Sequence, residues 1–429
     1  MLTGKALFHR IANEIAAFFG QEHYKSFGPA IAARKPAFRQ VFLCAALAAA
    51  TTAGACLLIL AAYLFYPQFR RPMRGGCVFQ FGLSANNERS FRRLNEIMGW
   101  NEGNDVEMNR ARIPLGARMR RLSFGRLWRA AQALHGGRSE NPFIITQQAL
   151  GCAARMLFDA CLADVRPLLV VVANDHSPTC VALRHCARDR GLPVLYIQHA
   201  PVNRHFPPLT FDLSILYDEV SREDYRASAL SHGLPDVMET VILSPFRRSF
   251  RMPAVRSLPL RIGICLGLLT ARDAIAELVG TLDALPHVSE IHIREHPRSR
   301  GNGRSFKVGG KVALRPRGES LEQYLMEVDV ILVPNSGVCI ECLHHGKPAF
   351  YLPHADKYAT DNYGFLSAGI LPIFDIAKLA DADALNAPFD GAWRTRFSRF
   401  DATESNSVEE MEGEVRRAVG RLLQQAQAA

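Results

Sequence analysis

Polar residues follow a predicted β-strand at 328–333 and have types that suit an anionic ligand. The strand ends in Asn-Ser-Gly, so Ser336 and Gly337 stand directly before a predicted helix that carries Glu341 one turn further on. The first N–H groups of a helix have no partner within the helix, and glycine allows a ligand to approach them closely. A carboxylate at that depth suits sugar hydroxyls. A turn capped by Ser336 would give the same pattern, so the segment predicts either an anion site or an ordinary capped turn.

Two further predicted strands of the same region end in residues that suit phosphate. The strand IHIR is followed by Glu-His-Pro, so Arg294 and His296 are presented at its carboxyl end, where Pro297 stops the strand. The strand LRIGICL is followed by Gly267 and then by Thr270 at a helix start. Each signal is weak alone, and His296 could be a surface-loop histidine. Three such strand ends in one region together favour a binding edge for a phosphate-bearing ligand.

Proton-transfer candidates lie in the preceding part of the chain. The strand PLLVVVA ends in Asn-Asp-His-Ser-Pro, which contains Asp175, and the next strand ends in Gln-His-Ala-Pro, which contains His199. Either side chain could take a proton from a hydroxyl that attacks a bound substrate. Asp175 could equally be the N-cap of the following helix, and His199 a structural strand-end residue. Glu219 is a weaker third candidate.

Alternating apolar runs predict the elements that position these residues. Buried parallel strands read as continuous runs of Val, Ile and Leu, and helices between such strands indicate parallel α/β sheets. The predicted strands are 77–81, 167–173, 194–198, 211–217, 240–243, 260–266, 290–294, 311–315, 328–333 and 349–352. The predicted fold class is therefore α/β, with two Rossmann-like parallel-sheet domains that face a cleft.

The chain has 429 residues, which is enough for two domains and additional segments. Residues 244–259 hold three prolines and four arginines with little pattern, so we assign them as the linker between domains. The predicted segments are 1–40 (basic and amphipathic), 41–66 (membrane anchor), 75–243 (acceptor-side domain), 244–259 (linker), 260–400 (donor domain) and 401–429 (C-terminal helix).

Residues 41–66 contain no charged side chain and are long enough to span a bilayer. They predict one N-terminal transmembrane helix, with a helix buried in a soluble core as the alternative. Residues 6–19 repeat apolar positions at helical spacing, which is typical of a helix that lies on a membrane surface. Basic residues flank the predicted span on both sides and leave its orientation open.

The formal charge is +10, which favours an anionic partner. Residues 110–129 intersperse arginines with large apolar side chains, so they form either a face for anionic lipid or a solvated basic face. No basic run of nucleic-acid type is present, and we expect no nucleic acid partner. The ten cysteines lack metal-site or disulfide spacing, which favours free thiols in a cytoplasmic body and no metal.

The motifs of the second domain resemble those of the donor-nucleotide domain of GT-B glycosyltransferases. They are His296 with Pro297, Ser336, the helix bearing Glu341, and Gly-Lys-Pro at 346–348. The resemblance covers roughly residues 165–375 and is greatest to bacterial enzymes of surface polysaccharide synthesis, including sialyltransferases and CDP-glycerol glycerophosphotransferases. This chain has a single serine in the serine motif and no acidic-Gly pair, which departs from the sialyltransferase pattern.

The resemblance implies an inverting transfer from a nucleotide-activated sugar to a glycan or glycolipid acceptor, without a cofactor. It implies that His296 and Ser336 contact the donor phosphates and that Glu341 contacts the ribose. With the predicted anchor, it places a single-pass protein at the inner membrane with a cytoplasmic catalytic body. A transferase of polyol phosphate from CDP-glycerol or CDP-ribitol and an inactive scaffold of polysaccharide assembly are the alternatives.

Overall fold

The structure is a computed structural model that describes residues 4–21, 36–65, 75–82, 84–108, 113–235, 238–267, 270–296, 306, 309–353 and 361–428. It contains two separate sheets in which every described strand pair is parallel. This arrangement confirms the predicted pair of parallel-sheet α/β domains.

The first sheet has the strand order β2-β1-β3-β4-β5-β6. Its strands are β1 (Val78–Phe81), β2 (Val106–Met108), β3 (Leu169–Val172), β4 (Val194–Ile197), β5 (Leu213–Leu216) and β6 (Thr240–Ile242). The second sheet has the order β11-β10-β7-β8-β9. Its strands are β7 (Leu260–Cys265), β8 (Val288–Arg294), β9 (Val312–Leu314), β10 (Val330–Val333) and β11 (Ala349–Tyr351).

Helices cover both sheets, so the central strands are buried on both faces and are apolar throughout. The helices before the linker are α1 (Gly4–Phe19), α2 (Pro36–Ala48), α3 (Thr52–Phe65), α4 (Ala85–Met98), α5 (Leu115–Arg121), α6 (Phe124–Gly136), α7 (Pro142–Asp164), α8 (Pro178–Arg188) and α9 (Glu219–Ser231). Those after it are α10 (Arg272–Asp283), α11 (Leu321–Met326), α12 (Val338–His344), α13 (Ala382–Asn386), α14 (Gly391–Phe397) and α15 (Val408–Ala428), with short 3₁₀ helices at Ile376–Ala380 and Ala402–Glu404.

The C-terminal helix α15 packs against the first sheet's domain rather than the second. Its apolar face, which includes Met411, Val415 and Val419, joins the core of the first domain. Glu412 of this helix also forms an ion pair of 2.6 Å with Arg93 of α4. The predicted C-terminal helix is therefore present, and its apolar face is covered by the first sheet's domain.

The prediction of one continuous transmembrane helix over 41–66 is wrong. The segment forms two helices, α2 and α3, which are separated by a turn at 49–51. The Thr51 hydroxyl accepts a hydrogen bond from the Gly54 N–H at 3.0 Å and so caps the second helix. A methyl group on Gly54 would lie 2.0 Å from the Ala48 carbonyl oxygen, so glycine permits the turn. Within the described residues, no helix is long and apolar enough to cross a membrane.

The helix predicted at 6–19 is present as α1, but its apolar face contacts protein. Ile11 and Ile15 are buried and pack with Val181 of α8. Glu14 forms ion pairs with Arg184 and His185 of the same helix. Burial acts to raise the pKa of Glu14, and the charges of Arg184 and His185 outweigh it and lower the pKa to about 2. The predicted membrane-surface position of this helix is therefore wrong.

Candidate functional site

The carboxyl ends of β7 and β10 define the point where ligands bind in open α/β sheets. The strand order reverses between these two neighbours, and the crevice outside such a reversal is the usual ligand position. The segments that follow the strands touch there, since a methyl group on Gly267 would lie 3.3 Å from Pro334 Cγ. The sheet thus brings the predicted residues around Gly267 and Ser336 to one place.

Gly267 and Thr270 form one closed loop at this edge. The Gly267 N–H donates a hydrogen bond of 2.7 Å to the Thr270 hydroxyl, which is buried. A methyl group at Gly267 would also lie 3.3 Å from that hydroxyl. These two residues shape the loop, and residues 268 and 269 between them lie outside the described part of the chain.

Ser336 is not the N-cap of α12. The cap is Gly337, and no side chain of the described residues caps this helix. The preceding Asn335 donates to Asp361 at 2.7 Å and is held in place by it. Because the Ser336 hydroxyl is not used as a cap, the ordinary-turn interpretation of the Asn-Ser-Gly segment loses its main support. The helix itself is short, at seven residues.

Gly337 is where the two sheets' edges meet. A methyl group there would lie 2.8 Å from Cδ of Pro201, which follows β4 of the first sheet. Nearby, Asn203 of the same loop donates to the Asn362 carbonyl of the second domain at 2.8 Å. The carboxyl edge of the first sheet therefore faces the carboxyl edge of the second.

Glu341 points into the space between the domains. Its carboxylate lies 3.8 Å from the Arg89 guanidinium of α4, and 39% of its side chain is exposed. Protein on both sides nevertheless desolvates this carboxylate and raises its pKa, against the charges of Arg89 and Arg294. Burial raises the pKa of Tyr217, which follows β5, to about 12, and Glu341 adds to that shift. The sequence did not identify Arg89 or Tyr217 as members of this site.

Arginines surround the end of β8. Cys265 pairs in register with Arg294, so the following Glu295 and His296 lie beside the Gly267 loop. Burial acts to raise the pKa of Glu295, and its ion pairs with Arg272 at 2.8 Å and Arg317 at 3.0 Å lower it. The buried Glu295 carboxylate therefore holds two guanidinium groups at the carboxyl edge of the second sheet.

Arg294 has partners of its own at this edge. It donates to the Glu319 carbonyl at 3.0 Å and stacks over the Tyr324 ring. Residues 297–300, which include Pro297 and two arginines, lie outside the described residues. The described part of this edge holds more arginines than carboxylates and can attract phosphate oxygens.

Asp175 lies at the end of β3 as predicted, but its carboxylate is only 2% exposed and has fixed partners. One oxygen lies 2.7 Å from Nδ1 of His176, and the other accepts a hydrogen bond of 2.8 Å from the Tyr225 hydroxyl. Tyr225 also contacts the Tyr196 hydroxyl at 3.1 Å. Burial and Asp175 raise the pKa of Tyr225 well above its usual value, so it remains a donor. The N-cap of α8 is Ser177, so Asp175 is not a helix cap.

His176 is the more accessible member of this pair, with 23% of its side chain exposed. The Asn174 side chain accepts hydrogen bonds from the backbone of His176 and Ser177 and so fixes the loop. With Nδ1 directed at Asp175, Nε2 of a neutral His176 would be the proton acceptor. A carboxylate that orients a histidine in this way is the usual arrangement of a general base. No sequence pattern favoured His176 over Asp175 as the base.

His199 lies near the pair, on the loop that leads to Pro201. Burial lowers its pKa to about 4, although the nearby Asp175 acts in the opposite direction. His199 is therefore neutral near pH 7. Glu219, in contrast, is the first residue of α9, is half-exposed, and pairs with Arg222 at 3.1 Å. It takes no part in the arrangement around Asp175.

Comparison with known proteins gives similarity at the level of structure only. The sequence matches no protein-family model and no curated protein. Solved structures with similarity include S. aureus MnaA with UDP (10% identity, 80% of this chain and 97% of that chain, TM-score 0.49). UDP-GlcNAc 2-epimerase from Neisseria meningitidis bound to UDP-GlcNAc is another (12%, 81% and 100%, TM-score 0.44).

CalG4, the calicheamicin glycosyltransferase, is also similar (12% identity, 82% of this chain and 99% of that chain, TM-score 0.49). At these identities and scores, the similarities carry no argument about the ligand or reaction of this chain.

Proposed function

We propose that this protein is a glycosyltransferase that moves a sugar from a nucleotide-activated donor to a glycan or glycolipid acceptor. The observation that supports this most is the meeting of two sheet edges of different chemistry. A basic edge at the strand reversal of the second sheet faces an edge with an oriented histidine, and the two touch at Gly337 and Pro201. Such a pair of edges can hold an anionic leaving group opposite a proton acceptor.

In this proposal the second sheet binds the donor. Ser336 and the backbone at Gly337 contact the phosphates, with His296 and Arg294 beside them. Glu341 accepts hydrogen bonds from the ribose hydroxyls, and Gly267 and Thr270 keep the loop under the nucleotide in shape. Basic side chains and backbone N–H groups then carry the charge of the leaving phosphate, so the reaction as proposed needs neither metal nor cofactor.

The first sheet supplies the base. His176, oriented by Asp175, takes the proton of an acceptor hydroxyl while the acceptor oxygen forms its bond to the sugar's anomeric carbon. The bond between that carbon and the phosphate oxygen breaks, and the nucleotide leaves with the electron pair. Attack opposite the leaving group inverts the anomeric centre. Neutral His199 is the alternative base, and the acceptor in this proposal is a surface polysaccharide or glycolipid at the cytoplasmic face of a membrane.

Nucleotide release tests this proposal. The full chain is incubated with UDP-GlcNAc, GDP-mannose, CMP-sialic acid or CDP-glycerol together with a bacterial lipid extract, and the freed nucleotide is measured. We expect one sugar donor to release its nucleotide, and the Ser336→Ala variant to reduce that release. Release of CMP from CDP-glycerol alone would identify a polyol-phosphate transferase instead. If no donor is consumed although nucleotides bind, the scaffold alternative gains support.

A further inference from the structure

The hairpin of α2 and α3, together with α5 and α6, exposes an unusual amount of apolar surface. We call this surface the apolar face. Its large side chains are 50–76% exposed, and they are Val41, Leu43, Leu47, Leu57, Phe65, Leu115, Met119, Phe124 and Trp128. Monomeric soluble proteins rarely expose contiguous patches of this kind without a partner.

Specific contacts hold these four helices together. At one end, the buried Arg118 of α5 donates to the carbonyls of Tyr63 and Leu64, which are the last turn of α3. At the other end, the Ala49 carbonyl in the hairpin turn accepts a hydrogen bond from Arg138 at 3.2 Å, just after α6. Helix α3 therefore lies antiparallel to α6. The exposed side chains are therefore carried by one packed group of helices.

The charged side chains of these four helices are all basic. None of the four helices contains Asp or Glu. Arg121 and Arg126 pair with Asp164 and Asp159 on α7. Arg120 and Arg129 lie among the exposed apolar residues and have no ion pair within the described residues. Unpaired arginines beside apolar side chains and a tryptophan complement anionic lipid head groups.

We propose that the apolar face binds the surface of an anionic phospholipid bilayer and enters one leaflet without spanning the membrane. The apolar side chains would lie at the boundary of head groups and acyl chains, while Arg120 and Arg129 contact lipid phosphates. An amphipathic surface explains why residues 41–66 are uncharged although they form two helices. It also separates the described arginines of α5 and α6 into those bonded to the protein and those left for lipid.

Aromatic rings lead from this face to the proposed base. Phe42 of α2 contacts Phe143 of α7 with ring centres 5.6 Å apart, and Phe143 contacts Phe19 of α1 at 5.6 Å. Phe19 in turn lies 6.5 Å from the His176 ring. This row would keep a lipid-linked acceptor in apolar surroundings between the membrane and the site. The acceptor assignment rests on the proposed function, whereas membrane binding does not.

Flotation of the full chain with vesicles tests membrane binding. Vesicles of phosphatidylcholine, with or without phosphatidylglycerol, are compared for wild type and for the Phe124→Glu/Trp128→Glu variant. Because burial of each aromatic side chain contributes about a tenfold change in partition, the variant with two replacements should bind about a hundredfold more weakly. Leu230→Glu, at a residue that is 70% exposed on α9, is the matched control and should bind like wild type.

The Arg120→Glu/Arg129→Glu variant separates the charge contribution and keeps the apolar side chains. We expect about fivefold weaker binding for each lost arginine, and only with phosphatidylglycerol present. Equal vesicle binding by all variants would overturn the proposal. The proposal would also be overturned if the wild type is a dimer that does not bind vesicles and the Phe124→Glu/Trp128→Glu variant is a monomer. A second copy of the chain would then cover the apolar face. Nucleotide release, measured separately, distinguishes a failure of membrane binding from a failure of the proposed reaction.

Discussion

Replacing His176 with alanine is expected to slow nucleotide release by roughly 10²–10⁴-fold, which is the usual contribution of a general base. The change removes the imidazole whose Nδ1 lies 2.7 Å from the Asp175 carboxylate. Donor binding should change little, because His176 belongs to the first sheet and the proposed nucleotide site to the second. The measurement is the initial rate of nucleotide release at saturating donor, together with donor affinity.

Asp175→Asn is the companion variant. It retains the size of the side chain and the contact with the Tyr225 hydroxyl, but it no longer stabilises a protonated His176. We expect most of the loss seen in His176→Ala and a shift in the pH profile of the rate. His199→Gln is the control that distinguishes the two histidines. A full rate in His176→Ala, with activity lost in His199→Gln, would contradict our assignment of the base.

Replacing Asp401 with alanine is expected to lower the free energy of unfolding of the second domain by about 2–3 kcal/mol, because buried hydrogen-bond donors lose their acceptor. Asp401 lies 2.5 Å from Nδ1 of His344, both side chains are almost fully buried, and His344 stacks on Phe246 with ring centres 3.7 Å apart. Asp401 also accepts hydrogen bonds from Thr403. Its removal leaves these buried donors without a partner.

Denaturant unfolding followed by the fluorescence of Trp393, which is buried in the same core, measures this loss. Asp375→Ala is the control, because Asp375 caps an exposed 3₁₀ turn and its loss should cost only about 1 kcal/mol. Since His344 ends the helix that carries Glu341, Asp401→Ala should also weaken nucleotide binding. An effect on unfolding no larger than that of Asp375→Ala would show that the buried pair does not stabilise this domain.

The sheets could be predicted from the sequence because their strands are short apolar runs bounded by turn residues. The strands at 169–172 and 330–333 are buried on both faces and contain only apolar residues. Several elements were not predicted, among them one strand and one helix of the first domain. Strand β2 has only three residues, and α9 is a polar helix whose start depends on the Asp218 cap. Neither element has the apolar periodicity on which the prediction relied.

The hairpin could not be predicted because hydropathy does not distinguish a lipid partner from a protein partner. Ala55, Ile59 and Tyr63 of α3 are buried by neighbouring helices, whereas Leu57 and Phe65 on the same helix are exposed. A hydropathy average over the segment does not separate the three buried residues from the two exposed ones. The turn depends on Thr51 and Gly54, which are common in membrane helices as well.

The residues of the second sheet's edge could be predicted from the sequence, because each of them directly follows a predicted strand. The carboxyl ends of parallel strands meet at the same edge of a sheet. The pairing of Asp175 with His176 and Tyr225 could not be predicted, because Tyr225 is fifty positions away and approaches only through packing of α9 on β5. The approach of Arg89 to Glu341 likewise joins two domains. Contacts between distant segments have no signal in a single sequence.

Nucleotide binding to the full chain tests the central claim most directly. Thermal unfolding is followed with CMP, CDP, UDP, GDP and ADP, since a ligand at a hundred times its dissociation constant adds about 2.7 kcal/mol of stability. We expect one nucleotide to raise the melting temperature, and Ser336→Ala and His296→Ala to abolish the shift while the control His232→Ala retains it. No shift with any nucleotide, or an equal shift in all variants, would contradict a donor site at the second sheet.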